Sequence, residues 1–283
     1  MIEATQRALA LAVVLLAAAC APVTPVPPTT LAEVGELRPG SGYIKGYLSA
    51  GELPDSLALL PPPPAAGSAA LAADEDAFRE LTALRSGPRG EWATRDADLE
   101  FPRAADIFSC ALGIEISERE TPHLNMLLWR TLADAALATS KAKNAYRRTR
   151  PFVVFKTTSC TPAQDARLAA DFSYPSGHSS IGWAWALVLT QVAPDRADAL
   201  LLRGREFAQS RGVCGVHWKS DIEAGRLVGS ATVARLQANA TFRAQADAAQ
   251  QEIAKARARG QTPGRAGCDA EARALSLSAG LAP

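Results

Sequence analysis

The chain has 283 residues, enough for one large core or two modest domains. Its 30 Lys and Arg stand against 29 Asp and Glu, a net charge of +1. That balance excludes the plainly basic surface of a nucleic-acid binder, so no nucleic acid polymer is expected as a partner and any recognition of anions must be local. Hydrophobic residues make up 48% but aromatics only 6%, and the Ala- and Leu-rich remainder favours helix.

Residues 1–20 read as an export signal. Leu9 to Ala19 is an apolar run of signal-peptide length, too short to span a bilayer, with Arg7 as its one positive flank and Glu3 opposing it. The run ends Leu15-Leu16-Ala17-Ala18-Ala19-Cys20, which resembles a bacterial lipoprotein cleavage site with Ala17 where leucine is commoner. Ala19-Cys20-Ala21 fits ordinary signal-peptidase cleavage as well. Both alternatives give a periplasmic protein, and the membrane is a partner only through a lipid anchor at Cys20. Four cysteines remain, Cys110, Cys160, Cys214 and Cys268. An even number in an oxidising compartment favours disulfides, with three pairings open. No two have the Cys-x-x-Cys spacing of a zinc site.

Residues 21–39 begin with a Pro- and Thr-rich tether. From there to residue 67 many Gly and Pro predict irregular structure wrapped on a core. Ser68 is placed to cap a helix to about Arg85, with Leu71, Phe78, Leu81 and Leu84 as its apolar stripe, and a shorter helical piece follows around 102–112. A long helix is expected from about Ser117 to Arg147, on the spacing of Leu124, Leu127, Leu128, Leu132, Ala135 and Ala138. His123 lies early in it and reads as a solvated or packing histidine. Pro151 should stop this helix, and Asp165 to Ala170 has room for one short turn. Further helices are predicted over 177–192, 195–211, His217 to Leu236, and on to about Arg259. Residues 260–283 read as a loose tail. With no alternating strand pattern and no repeat, the expectation is an all-α single domain over residues 40–259.

Three clusters carry chemistry. In the first, Lys143 and Arg150 stand seven residues apart, two helical turns, so both can project from one face. Stacked like charges repel unless an anion compensates them. The second is Tyr174-Pro175-Ser176-Gly177-His178. Pro175 disfavours helix before it, Ser176 can cap the helix that follows, and Gly177 lets a ligand approach the backbone. Such a helix start is an anion site with His178 beside it. The third runs from Ser210-Arg211 to His217-Trp218-Lys219-Ser220-Asp221. If helix begins near His217, His217 and Asp221 share a face. A carboxylate on one ring nitrogen then leaves the other free as a nucleophile. Alone, each cluster reads as well as a solvated basic face, a capped core helix or an inert His–Asp pair. Together they supply phosphate neutralisation by Lys143, Arg150 and Arg211, oxygen binding by Ser176 and Gly177, and two histidines for attack and protonation.

The order Lys-x6-Arg-Pro, Pro-Ser-Gly-His, Ser-Arg-x5-His-x3-Asp resembles the three-part signature of the phosphatidic acid phosphatase type 2 and vanadium haloperoxidase superfamily, with no motif position substituted. The flanks Gly51 to Pro64, Ser173 to Trp183 and Cys214 to Asp221 look like bacterial class A non-specific acid phosphatases, and the resemblance covers roughly residues 40–255. It implies a helical bundle of that type and a metal- and cofactor-independent acid phosphatase acting on phosphate monoesters. It implies His217 as nucleophile through a phosphohistidine, Asp221 as its orienting group and His178 as general acid. Lys143, Arg150, Ser176, Gly177 and Arg211 would bind the phosphate. Arg148 also matches an arginine often present in these enzymes but is not among the expected site residues. Family members are often oligomeric, so a homo-oligomer is an expectation too. A lipid phosphatase and a vanadium haloperoxidase are the alternatives on the same residues. A non-catalytic phosphate-binding protein would leave the histidines without work. Cys110 and the lipoprotein-like start depart from the family pattern.

Overall fold

The computed structural model describes residues 26–281, so the expected export signal and Cys20 lie outside the described residues. Among these the fold is all-α, with one isolated antiparallel bridge, Glu36 to Ile44. Nine helices of seven or more residues are numbered here: α1 Ala69–Thr82, α2 Pro88–Arg95, α3 Pro122–Ala138, α4 Ser140–Tyr146, α5 Gly177–Val192, α6 Ala197–Val213, α7 Lys219–Leu236, α8 Ala240–Ala258 and α9 Arg265–Ser276.

Helix α5 is the centre. Its sequence is apolar nearly all round, the mark of a helix buried on every side. Ile181, Ala184, Trp185, Val188 and Leu189 are all in the core. Leu124, Leu127 and Leu128 from α3, Phe207 from α6 and Val233 from α7 close around it, with α8 covering α3 through Phe242 and Ile253. The indole N–H of Trp185 is satisfied by the Leu128 carbonyl at 2.8 Å. Close approach of α7 to the start of α5 depends on glycine. A Cβ at Gly225 would lie 2.5 Å from the Ser176 carbonyl oxygen, far inside contact distance. The N-terminus of α5 is therefore pressed directly onto α7.

The structure differs from the sequence reading in several places. The expected helix over 117–147 begins at Pro122, which sits at the first helical position where its missing N–H costs nothing. It breaks at Thr139, whose hydroxyl donates back to the Ala136 carbonyl at 2.7 Å. Arg147 then turns left-handed (φ 48°), so Arg150 is carried by a loop and does not share a helix face with Lys143. Pro151 starts a short helix, Pro151–Val154, and does not merely stop one. Helix α2 has no counterpart in the sequence reading. Residues 260–281 are not loose, since α9 docks by Ala274 and Leu275 and is tied by the Cys110–Cys268 disulfide. Its Glu271 reaches Arg203 of α6 at 2.5 Å. The polar composition of the tail conceals this, because what holds it is a covalent bond and a buried ion pair more than an apolar stripe.

The second disulfide joins Cys160 to Cys214, so of the three pairings left open the one formed is Cys110–Cys268 with Cys160–Cys214. The Cys110–Cys268 bond closes a ring with a sequence separation of 158, and long rings restrict the unfolded chain most. Cys268→Ser is expected to lower unfolding stability by about 2–4 kcal/mol, read by chemical denaturation without reductant. Because α9 lies away from the helix start described below, turnover at 25 °C should be unchanged.

Candidate active site

Four segments converge at the N-terminus of α5. Ser176 is its cap, in extended conformation, and its buried Oγ accepts from the Ser179 amide at 3.2 Å and the Ser179 hydroxyl at 2.8 Å. Having accepted two bonds, that hydroxyl keeps its own proton to donate. Among the described residues the backbone N–H groups of Gly177 and His178 have no protein acceptor, as expected of a first helical turn. A Cβ at Gly177 would meet nothing within 4 Å. The space beside Gly177 is open.

His217 lies just before α7. The helix starts at Lys219 with Trp218 as its cap, so the expected pairing of His217 and Asp221 on one helix face is replaced by a contact across the helix start. Asp221, third in the helix, reaches back in the manner of a capping box. Its Oδ2 accepts from the Trp218 amide at 2.9 Å and faces His217 Nδ1 at 3.4 Å. On the other side of the ring, Nε2 lies 3.0 Å from Arg150 Nη1. A guanidinium only donates, so Nε2 must be the unprotonated nitrogen and Nδ1 carries the proton toward Asp221. Burial, with Arg150, Lys143 and Arg211 nearby, holds the His217 pKa well below the usual range. The imidazole is neutral, with its lone pair on Nε2.

The cations are buried around it. Arg150 is held by the carbonyls of Leu168 at 2.8 Å and Val216 at 3.1 Å and by the Asp171 carboxylate at 2.9 Å. Lys143 donates to the Phe172 carbonyl and lies 3.7 Å from Asp171. Burial, then Arg150, lowers its pKa to about 8. Arg211 is 1% exposed, yet its Nε and Nη1 have no acceptor. Burial, then Arg150, brings its pKa down to about 9. A buried guanidinium with unmet donors is costly in an unliganded protein. His178 is partly exposed, stacks at 6.4 Å on Phe207 and points Nε2 at the Ala97 carbonyl, 3.2 Å away. Since a carbonyl only accepts, Nε2–H is fixed there and Nδ1 is the nitrogen left to exchange a proton. Burial, then Arg211, pushes its pKa well down.

All eight expected residues thus meet in one place, joined by Arg148, which the resemblance points to outside the expected set, and by three partners that escape the sequence reading. Arg148 clamps Asp221 Oδ1 at 2.7 Å and Asp74 at 2.6 Å. Asp74 also accepts from the Ser220 amide at 2.8 Å and its hydroxyl at 2.6 Å. This chain of contacts fixes the first turn of α7 and with it His217. Asp74 could have been found, because a carboxylate stands on the α1 stripe between Leu71 and Phe78 where the pattern demands an apolar residue. The Ala97 carbonyl and Asp171 carry no sequence signal. Among the described residues, no group of three or more His, Cys, Asp and Glu is placed to hold a metal.

Both histidines are depressed relative to the unfolded chain, where His titrates near 6.5. The neutral form is therefore favoured by folding. This contribution is full above pH ~6.5 and is lost as pH falls below it, by up to about 1.4 kcal/mol per unit for each ring. His217→Asn should accordingly flatten the acid limb of a stability-versus-pH profile measured by urea denaturation. Inorganic phosphate should stabilise the wild type more at pH ~5 than at neutrality, because the bound anion raises the proton affinity of His178 and proton uptake there favours binding in acid.

Residues 124–243 match the PAP2 superfamily. A non-specific acid phosphatase of Providencia stuartii is 43% identical over 210 residues, covering 74% of this chain and 85% of that protein. One from Salmonella typhi is 41% identical over 197 residues, covering 69% and 79%. An acid phosphatase of Zymomonas mobilis is 39% identical over 209 residues, covering 74% and 79%. With the complete three-part motif gathered at one helix start and relatives this similar over most of their length, the chain belongs to the PAP2 superfamily and, within it, to the non-specific acid phosphatases.

Proposed function

We propose that the protein hydrolyses phosphate monoesters of broad structure at this site through a phosphohistidine on His217, without a metal. The observation that carries the reading is Arg211, whose buried and unpaired Nε and Nη1 sit with Lys143 and Arg150 around a neutral histidine. The anionic oxygens of a phosphoryl group supply what these donors lack.

The ester's phosphoryl oxygens accept from Arg211, Lys143, Arg150, the Ser176 hydroxyl and the amides of Gly177 and His178. His217 Nε2 attacks phosphorus in line, forming the N–P bond as the P–O bond to the leaving group breaks. Asp221 stabilises the positive charge that develops on the ring through Nδ1–H. His178, doubly protonated once the bound anion has raised its proton affinity, gives the Nδ1 proton to the leaving oxygen. Water then attacks phosphorus, His178 Nδ1 takes its proton, and the N–P bond breaks to release inorganic phosphate and restore His217. A protein that only bound phosphate would have no use for the fixed tautomers of the two rings.

The two disulfides and the bacterial relatives fit an exported protein, and among the described residues no helix is long and apolar enough to cross a membrane. We place it in the periplasm.

His217→Ala should reduce turnover of an aryl phosphate by at least about 10³-fold with the far-UV dichroism spectrum unchanged; near-full activity in that variant rejects the nucleophile. His178→Ala should cost about 10²–10⁴-fold with an alkyl phosphate and much less with p-nitrophenyl phosphate, whose leaving group needs no proton. Equal losses on both would remove His178 from the acid role. Vanadate should inhibit and EDTA should leave the rate unchanged.

A further inference from the structure

One group in the phosphate site has the wrong sign. Asp171 sits in the turn after the short helix Asp165–Ala169. It pairs at once with two of the three site cations, with Oδ2 at 2.9 Å from Arg150 Nη2 and 3.7 Å from Lys143 Nζ. Arg150 spans the site, touching Asp171 with Nη2 and the nucleophilic Nε2 of His217 with Nη1. The carboxylate is therefore one guanidinium away from the reacting nitrogen. Unlike Asp221, which is fully buried and bound by Arg148, Asp171 keeps 46% of its side chain in solvent. The charged groups against it are Lys143 from α4 and Arg150 from the following loop; Arg147 lies over the neighbouring Phe172 ring at 4.8 Å, and Arg167 of its own short helix, His217 and Asp221 act on Arg150 from beyond.

We propose that Asp171 is a built-in counter-anion of the phosphate site that biases it toward the monoanionic form of the ester. The proposal rests on the phosphatase reading above. Asp171 competes for the same Lys143 and Arg150 donors that a phosphoryl group needs. Its charge opposes a dianion twice as strongly as a monoanion. A phosphate monoester loses its second proton near pH 6, so below that pH the carboxylate faces a monoanion and the penalty is smallest. Above pH ~6 the ester becomes dianionic and the penalty doubles. A half-exposed carboxylate is screened by solvent, so the effect is a few-fold and not orders of magnitude.

The test is calorimetric binding of inorganic phosphate and of sulfate to the full chain and to Asp171→Asn, at pH ~5 and ~7.5. The amide keeps an oxygen for Arg150 and removes the charge. For phosphate, Asp171→Asn should tighten binding about three- to tenfold at the higher pH and less than about twofold at the lower. Sulfate, a dianion at both, should tighten at both. The pH optimum of aryl phosphate turnover should move toward neutrality in the variant. Unchanged or weaker phosphate and sulfate binding in Asp171→Asn at both pH values overturns the proposal and makes the carboxylate a mere anchor for Arg150. Asp171→Ser, which cannot anchor Arg150 in the same way, should show the same direction if the charge is what matters, and its failure to do so also rejects the idea. Because binding is read without turnover, an inactive wild type would defeat the phosphatase reading while leaving the Asp171 result to stand or fall by itself.

Discussion

Arg211 is the constraint on which the rest of the site depends. A guanidinium at 1% exposure with two unmet donors is unfavourable in the absence of an anion, and Arg150 nearby makes matters worse. Folding must tolerate this repulsion, so the protein anchors the cations elsewhere. Arg150 is fastened by carbonyls from two segments, Lys143 by the Phe172 carbonyl, and the segment after Arg211 by the Cys160–Cys214 disulfide. These bonds hold the charges at fixed positions, so that binding energy from a phosphoryl group is not consumed in gathering them.

The same requirement for fixed positions explains the glycine on α7 and the acid chain behind it. If α5 is to offer its first-turn amides to a ligand, its N-terminus has to be immobilised without side chains standing over it. Pressing the Ser176 carbonyl onto Gly225 does this from below, and the Ser176 amide donating to the Asp221 carbonyl at 2.9 Å ties the two helix starts together. Asp221 therefore serves twice, with its backbone on α5 and its side chain on His217. Through Arg148 and Asp74 that position is referred to α1, a helix with no part in the chemistry. Buried ion pairs of this kind give modest net stability; here their value lies in orientation.

Much of this was legible in the sequence. The all-α class, the cap at Ser176, the helix over 177–192 and the residues that meet at its start all follow from local patterns, because caps, helical spacing and motif order are local properties. What escaped was non-local. The break at Thr139 and the left-handed Arg147 decide how Arg150 arrives, yet neither residue is a strong helix breaker. Helix α9 is held by partners far away in sequence, Cys110 and Arg203. Asp171 and the Ala97 carbonyl act through position alone, and a backbone carbonyl has no letter. Asp74 is the intermediate case, a charge on an apolar stripe that signals a buried partner without naming it.

The electrostatics also bear on why such a site works best in acid. Lys143 and Arg211, brought down to about 8 and about 9, are both charged throughout the acid range, so the cations do not set an acidic limit. The histidines pull in opposite directions. On the proposed mechanism His217 has to be neutral to attack, and its depressed pKa favours that form. On the same mechanism His178 has to be protonated to release the leaving group, and burial and Arg211 oppose this until a phosphoryl group neutralises the guanidinium. One ring is thus kept unprotonated and ready by the cations, while the other becomes an acid only when substrate is present. A site that couples proton uptake on His178 to anion binding gains from low pH at the step where ester and proton arrive together, without losing its nucleophile to protonation.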